Sequence, residues 1–246
     1  MSGTVMNMKY VSLLLAGTTL IFSSTVHASD VSLGLGVKVM TTNWMGDNDT
    51  SGTDFARRSP QVGFNMVYQR DRLFMGLNLQ GGNFLFKDGS PDQVSDAGVT
   101  VAGSAEEKVK HTELDLVFGY YLLKNFSMFA DAKIIVNEWV DQDPVYKMES
   151  SGLGIGASGF IPIGSRFVLY GSAGFVPLTV KTEGTEIGEG RSGALELGGA
   201  VNISGHNRLT FGFKGQRQRY EFDNGDTQTH RLNSLFVGYS HNLWIR

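Results

Sequence analysis

A two-residue period in apolar character, repeated ten times along the chain, constrains this sequence more than any other feature. In VSLGLGVKVM (Val31 to Met40) the odd positions are apolar, and between them stand Ser32, Gly34, Gly36 and Lys38. Successive side chains of a β-strand point to opposite faces, so this spacing predicts a strand with one oily and one polar face. PQVGFNMVYQ sets Val62, Phe64, Met66 and Tyr68 against Gly63, Asn65 and Gln69, and RLFMGLNLQGG sets Leu73, Met75, Leu77 and Leu79 against Gly76, Asn78 and Gln80. TELDLVFGYY opposes Leu114, Leu116, Phe118 and Tyr120 to Glu113, Asp115 and Gly119. FSMFADAKIIVN opposes Ala130, Ala132, Ile134 and Val136 to Asp131, Lys133 and Asn137. SGLGIGASGFI, RFVLYGSAGFV, ALELGGAVNIS, RLTFGFKGQRQ and NSLFVGYSHNL complete ten candidate strands. Segments of this length and period are weak evidence singly and strong evidence in series.

The connections alternate as the strands do. Tight turns are expected near Arg70-Asp71, Leu123-Lys124-Asn125, Pro162 to Ser165 and Gly205-His206-Asn207. Long polar connections are expected at Thr41 to Ser59, Lys87 to Lys108, Glu138 to Glu149 and Lys181 to Arg191, with a shorter one at Asp223 to Thr229. Short turns at one end and long loops at the other are the layout of an up-and-down barrel with both termini at the short-turn end. Aromatic residues near strand ends (Phe84, Phe86, Trp139, Tyr146, Tyr220 and Phe222 at the loop end; Tyr68, Tyr120, Phe126, Phe167 and Trp244 at the turn end) suggest two interfacial girdles.

The first 30 residues carry one charge before Asp30, at Lys9, then an apolar or small run from Val11 to Phe22. Val26-His27-Ala28 offers small residues at the spacing of a signal-peptidase site. Residues 1–28 are therefore expected to be a secretory signal peptide, and residues 29–246 a single outer-membrane barrel domain. The apolar run is too short to span a bilayer as a helix. The formal charge is −3, one unit more negative once Lys9 is gone, which argues against nucleic acid as a partner. The absence of cysteine rules out disulfides and thiolate metal sites.

A soluble barrel would turn its apolar face inward and show water a face rich in Lys, Glu and Thr. Here the polar face is mostly glycine, serine and asparagine, so lipid is the expected surroundings of the oily face. An unclosed edge in hydrocarbon would leave backbone amides unpaired at several kcal/mol each. The first and last strands are therefore expected to pair.

With this pattern, signal and final strand the chain resembles the small Gram-negative outer-membrane β-barrel proteins, in the broad OmpA-like membrane-barrel class. The resemblance implies a transmembrane antiparallel up-and-down barrel, all-β, in the bacterial outer membrane. It also implies that the last strand, SLFVGYSHNLWIR, carries an assembly signal read by the outer-membrane assembly machinery, with Gly238, Tyr239, Leu243 and Trp244 in that role. Ile245 and Arg246 run past the aromatic end that members of the class usually have. The implied partners are outer-membrane lipid, lipopolysaccharide and that machinery, with the protein a monomer. The class contains anchors, channels, adhesins and a few hydrolases, so it does not itself assign an activity.

Ten strands enclose little more than eight, and eight are just filled by side chains. A filled polar interior is therefore expected, with Lys38, Glu113, Asp115, Asp131, Lys133, Glu196 and Lys214 as an inward network. A three-residue hairpin with Asn125 left-handed would put Asp115 directly across from Lys133, with Glu113 diagonal. Pairing Ser204 with Arg208 would bring Glu196 diagonal to Lys214. Buried charges need partners, and these pairings provide them.

Other motifs carry less. Gly154 to Gly159 matches G-x-G-x-x-G, but a turn follows where a dinucleotide fold needs a helix. Asp47 to Gly52 opens like a calcium loop, yet Arg58 stands where a bidentate glutamate is required. No cofactor and no metal site is expected. A Ser/His hydrolase needs a histidine near its nucleophile, but His206 and His241 fall at the turn end. His111 and His230, near the loop rim on strands four and ten, are expected too far apart for contact. An omptin-like protease would need paired aspartates and an Asp/His pair at the outer mouth; Asp141, Asp143 and Asp226 form no matching local motif. The expectation is a non-enzymatic structural or narrow-channel protein. The alternatives are a hydrolase of lipid or peptide at the rim, or a loop-mediated adhesin.

Overall fold

The computed structural model describes residues 11–15, 20–24, 31–47, 52–54, 58–85, 93–94, 100–101, 108–140 and 146–245. The expected leader falls outside these residues except for two short strands, Val11–Leu15 and Leu20–Ser24, paired with each other. Phe86, most of the Lys87 to Lys108 connection and parts of the Thr41 to Ser59 and Glu138 to Glu149 connections also fall outside them.

Ten long strands follow: β1 (Val31–Asp47), β2 (Ser59–Arg70), β3 (Leu73–Leu85), β4 (Lys108–Leu123) and β5 (Phe126–Trp139). The second half is β6 (Tyr146–Ile163), β7 (Phe167–Thr182), β8 (Thr185–Asn202), β9 (Asn207–Phe222) and β10 (Thr227–Ile245). Each pairs antiparallel with its neighbours in sequence, and β10 closes onto β1 from Ile245↔Val31 to Thr229↔Asp47. Closure leaves no edge of unpaired amides. The chain is thus an all-β, up-and-down barrel of ten antiparallel strands. Its strands run from 12 to 19 residues, longer than the ~9–11 that cross a bilayer.

The alternation sorts the two faces. Val62, Val237, Phe118 and Leu153 point outward and are 62%, 61%, 53% and 75% exposed. Their even or odd counterparts point into the bore. In β1, Val37 and Val39 are exposed while Lys38 between them is 6% exposed. A wall of large apolar side chains this extensive does not suit water.

The connections depart from expectation in part at two places, since Thr41 to Asp47 belong to β1 and Tyr146 to Glu149 to β6, and wholly at a third. Lys181 to Arg191 is no long loop: β7 and β8 continue to Thr182 and Thr185, joined by Glu183-Gly184 alone. Both residues have positive φ, 50° and 83°, which is the two-residue hairpin turn whose twist matches its strands. Polarity had made this stretch look like a loop, but it is a hairpin end rising above the apolar band.

Two register details also differ. Asn125 is not left-handed; a bulge between Phe126 and Ser127 absorbs the extra residue and still sets Lys133 directly opposite Asp115. At the β8–β9 turn Arg208 pairs with Asn202 rather than Ser204, which moves Glu196 from diagonal to directly opposite Lys214. Ser204 Oγ instead organises the turn, accepting from the backbone N–H of Asn207 (3.2 Å) and from Asn207 Nδ2 (2.9 Å).

The interior is filled, but it is not uniformly polar. At the loop end, Trp44, Phe84, Ile135, Trp139, Tyr220 and Phe222 form part of one apolar cluster inside the bore. At the turn end, Phe74, Tyr121, Phe129, Phe160, Tyr170 and Phe236 form part of another. Phe84, Trp139, Tyr220 and Phe222 therefore belong to the bore and not to a lipid-facing girdle. The turn-end band is closer to expectation, since Tyr68, Tyr120 and Phe126 are exposed on the outer wall.

Candidate functional site

Between the two apolar clusters lies a layer of charge. Glu113 and Asp115 sit two residues apart on β4, so both point inward, and Lys133 on β5 stands opposite Asp115. Lys133 Nζ donates to Glu113 Oε1 at 2.5 Å and to Asp115 Oδ1. Glu113 Oε1 also receives Lys214 Nζ from β9 at 3.3 Å, and Oε2 accepts from Gln80 Nε2 on β3 at 2.9 Å. The fully buried Glu113 thus has charge-assisted hydrogen bonds from three strands.

A second pair completes the layer. Lys38 Nζ on β1 lies 3.6 Å from Glu196 Oε2 on β8 and 5.4 Å from the centre of the Phe236 ring. Tyr170 OH donates to Glu196 Oε1 at 3.3 Å. Lys38 can lie in the bore because its register partners on both sides are glycines, Gly63 on β2 and Gly238 on β10. A Cβ on Gly63 would stand 2.9 Å from Lys38 Cγ, and one on Gly238 would stand 2.6 Å from Thr210 Oγ1 and 3.2 Å from Lys38 Cβ. Gly238, expected from sequence to be part of an assembly signal, has a packing role in the barrel.

Lys38, Glu113, Asp115, Asp131, Lys133, Glu196 and Lys214 are all buried at this level. Asp131, on β5 one inward position below Lys133, lines a cavity of about 30 Å³ with Asp115, Lys133, Lys214 and Ser192. Of the other predicted site residues, Tyr239 and Leu243 face outward, and Trp244 pairs with Ser32 in the β10–β1 ladder.

The structure also brings two histidines of the loop end onto one side chain. His111 and His230 both pack on the Trp44 indole, with ring centres 5.6 and 5.1 Å from it. His230 lies diagonal to Trp44 in the β10–β1 ladder, and His111 reaches the same indole from β4 across the bore. His111 Nδ1 is 2.7 Å from Asn137 Oδ1, and its Nε2 is 3.9 Å from Glu113 Oε2. Both rings are buried, at 1% and 0% exposure. At the turn end, Asn207 Oδ1 accepts from Tyr239 OH at 2.6 Å and lies 2.7 Å from His241 Nδ1, a cluster tying β10 to β9. Asp226 accepts from Asn224 Nδ2 at 2.8 Å within its own turn, while Asp141 and Asp143 lie outside the described residues.

The G-x-G-x-x-G stretch is part of β6, with Gly154 and Gly156 lining the inner wall beside Val176 and Phe129. Most of the calcium-like loop lies outside the described residues.

Closed strand order, an apolar outer wall and a filled bore define the fold of a Gram-negative outer-membrane β-barrel. One solved structure in particular shares it. The chain is similar to the outer membrane protease OmpT of Escherichia coli, with a TM-score of 0.56 at 10% identity over 90% of this chain and 99% of that one. It also matches the toluene transporter TodX of Pseudomonas putida, with a TM-score of 0.35 at 10% identity over 87% and 90% of the two chains. Ail, the attachment invasion locus protein of Yersinia pestis, matches with a TM-score of 0.34 at 8% identity over 88% and 100%. No protein-family model and no curated protein sequence matches. At such identity the likeness to OmpT speaks for the barrel and not for any neighbour's activity.

Proposed function

We propose that the protein is an integral component of the bacterial outer membrane, exported on its N-terminal signal, with a non-enzymatic structural or narrow-channel role. One observation carries this reading: the charge layer is packed between two apolar clusters, so the barrel's own side chains close its bore. The interactions of Lys133, Lys214 and Lys38 tie β1, β4, β5, β8 and β9 together across the lumen, and this stiffens the cylinder. Lipid and lipopolysaccharide are its surroundings, the assembly machinery reads β10, and the barrel acts as a monomer.

A narrow, gated conduit is the second reading, favoured by the cavity beside Lys133 in the middle of the bore. Planar-bilayer recording separates the two. A structural barrel gives no discrete conductance in the wild type or in Lys133→Ala, whereas a conduit gives steps that Lys133→Ala enlarges. Turnover of phospholipid, lipid A or peptide by the refolded protein would replace both readings with a hydrolase at the rim. Binding to host surfaces that depends on the loops would favour an adhesin.

A further inference from the structure

The charge layer does not balance. It holds four acids (Glu113, Asp115, Asp131 and Glu196) against three lysines (Lys38, Lys133 and Lys214), all buried. The remaining buried cation among the described residues, Arg208, lies six residues from Lys214 along β9, roughly 20 Å away at the rise of a strand, where its Nε bonds Asn202 Oδ1 at 2.6 Å. An uncompensated carboxylate in a low-dielectric interior is costly and draws in a positive charge.

The geometry says where the imbalance falls. Glu113 is held by Lys133 and Lys214, Asp115 by Lys133, and Glu196 by Lys38 and Tyr170. Asp131 is 9% exposed, and its Oδ1 is buried without a hydrogen-bond partner. Asp131 also lines the cavity of about 30 Å³, which has room for one or two water-sized species. The charges acting on it are Asp115 and Glu113 from β4, Lys133 from its own strand and Lys214 from β9. Asp115 lines the same cavity but is held by Lys133, and His111 contacts Glu113 Oε2, on the side bonded by Gln80. No group of three His, Asp or Glu stands ready for a divalent metal among the described residues.

We propose that the cavity at Asp131 is a binding site for one unit of positive charge, taken up either as a proton on Asp131 or as a small monovalent cation beside it. The site neutralises the layer and does not depend on whether the barrel conducts. In the proton form the carboxyl becomes a donor, and in the cation form Asp131 and Asp115 provide oxygen ligands.

The test uses the protein refolded in detergent micelles, with folding of each variant checked by heat-modifiable gel migration. Infrared spectroscopy at neutral pH reads protonated carboxyl groups in the wild type, Asp131→Asn and His111→Gln. Thermal unfolding at pH 8 and fixed ionic strength compares sodium chloride with choline chloride. A protonated-carboxyl band in the wild type and His111→Gln that Asp131→Asn removes identifies the proton. A melting temperature higher by about 2–4 °C in sodium than in choline, with the difference absent from Asp131→Asn, identifies the cation. The proposal is overturned when the wild type shows neither signal, or when Asp131→Asn retains the one the wild type shows.

Discussion

Lys214 on β9 reaches across the bore to Glu113 on β4, with Nζ 3.3 Å from Oε1, the same oxygen that Lys133 approaches at 2.5 Å from the neighbouring strand. Two lysines on opposite walls thus share one buried acid, so the layer acts as a cross-brace. Removing one partner of a buried ion pair leaves its counter-charge stranded. Lys133→Ala exposes both Glu113 and Asp115 to this penalty and should lower unfolding free energy by about 3–5 kcal/mol, as read by urea titration in lipid vesicles. Lys147→Ala, at a solvent-screened pair with Glu149 on the surface, should leave it unchanged within the error of the titration.

Lys38 and its two glycines set the second prediction. Gly63→Val places a branched side chain against the Lys38 stem and should cost about 1–3 kcal/mol. Nothing lies within 4 Å of a Cβ on Gly193, so Gly193→Ala should be near neutral in the same titration. Combining Gly63→Val with Lys38→Ala should cost less than the sum of the two single changes, because the double variant removes the clash.

The β7–β8 turn supplies a third. Gly184 has φ of 83°, a conformation that costs a residue with a Cβ about 1–2 kcal/mol. Gly184→Ala should lose about that much in unfolding titrations. Were the segment a loose loop, the same change would have no measurable effect.

A fourth concerns the tryptophans. Trp44 and Trp139 are buried inside the bore, at 0% and 1% exposure. In a Trp244→Phe background their fluorescence should resist quenching by brominated phospholipids. Strong quenching would return Trp139 to a lipid-facing girdle.

Much of this was legible in the sequence because strand parity is a strict rule. Lys38, Glu113, Asp115, Lys133, Glu196 and Lys214 could be set inward from their spacing alone. The same rule applied to Phe84, Trp139 and Tyr220, which share parity with Gln80, Lys133 and Lys214 and so face the bore with them. Reading them as a girdle let a statistical habit of membrane proteins override the local period. Other features had no local signal. The partner of Glu196 depends on a turn whose length is set by Ser204 hydrogen bonds, and a slip of two residues keeps every side chain on its face. The approach of His111 to Trp44 runs across the bore from β4, where ladder pairing gives no guide, whereas His230 is a diagonal ladder neighbour of Trp44 on β10. Glu183-Gly184 gave only half a signal, since the dipeptides that mark such a turn are Asn-Gly, Asp-Gly and Gly-Gly, and a glutamate stands in the first place here.

The most direct measurement asks which solvent the outer wall, with Val62, Phe118, Leu153 and Val237 exposed on it, was built to meet. The polypeptide without residues 1–28 is diluted from denaturant into buffer, detergent micelles and phospholipid vesicles, then run unboiled on a gel beside a boiled sample. A barrel facing lipid migrates as a compact, heat-modifiable band from micelles and vesicles only, and aggregates in buffer. A folded, soluble monomer in plain buffer would contradict it.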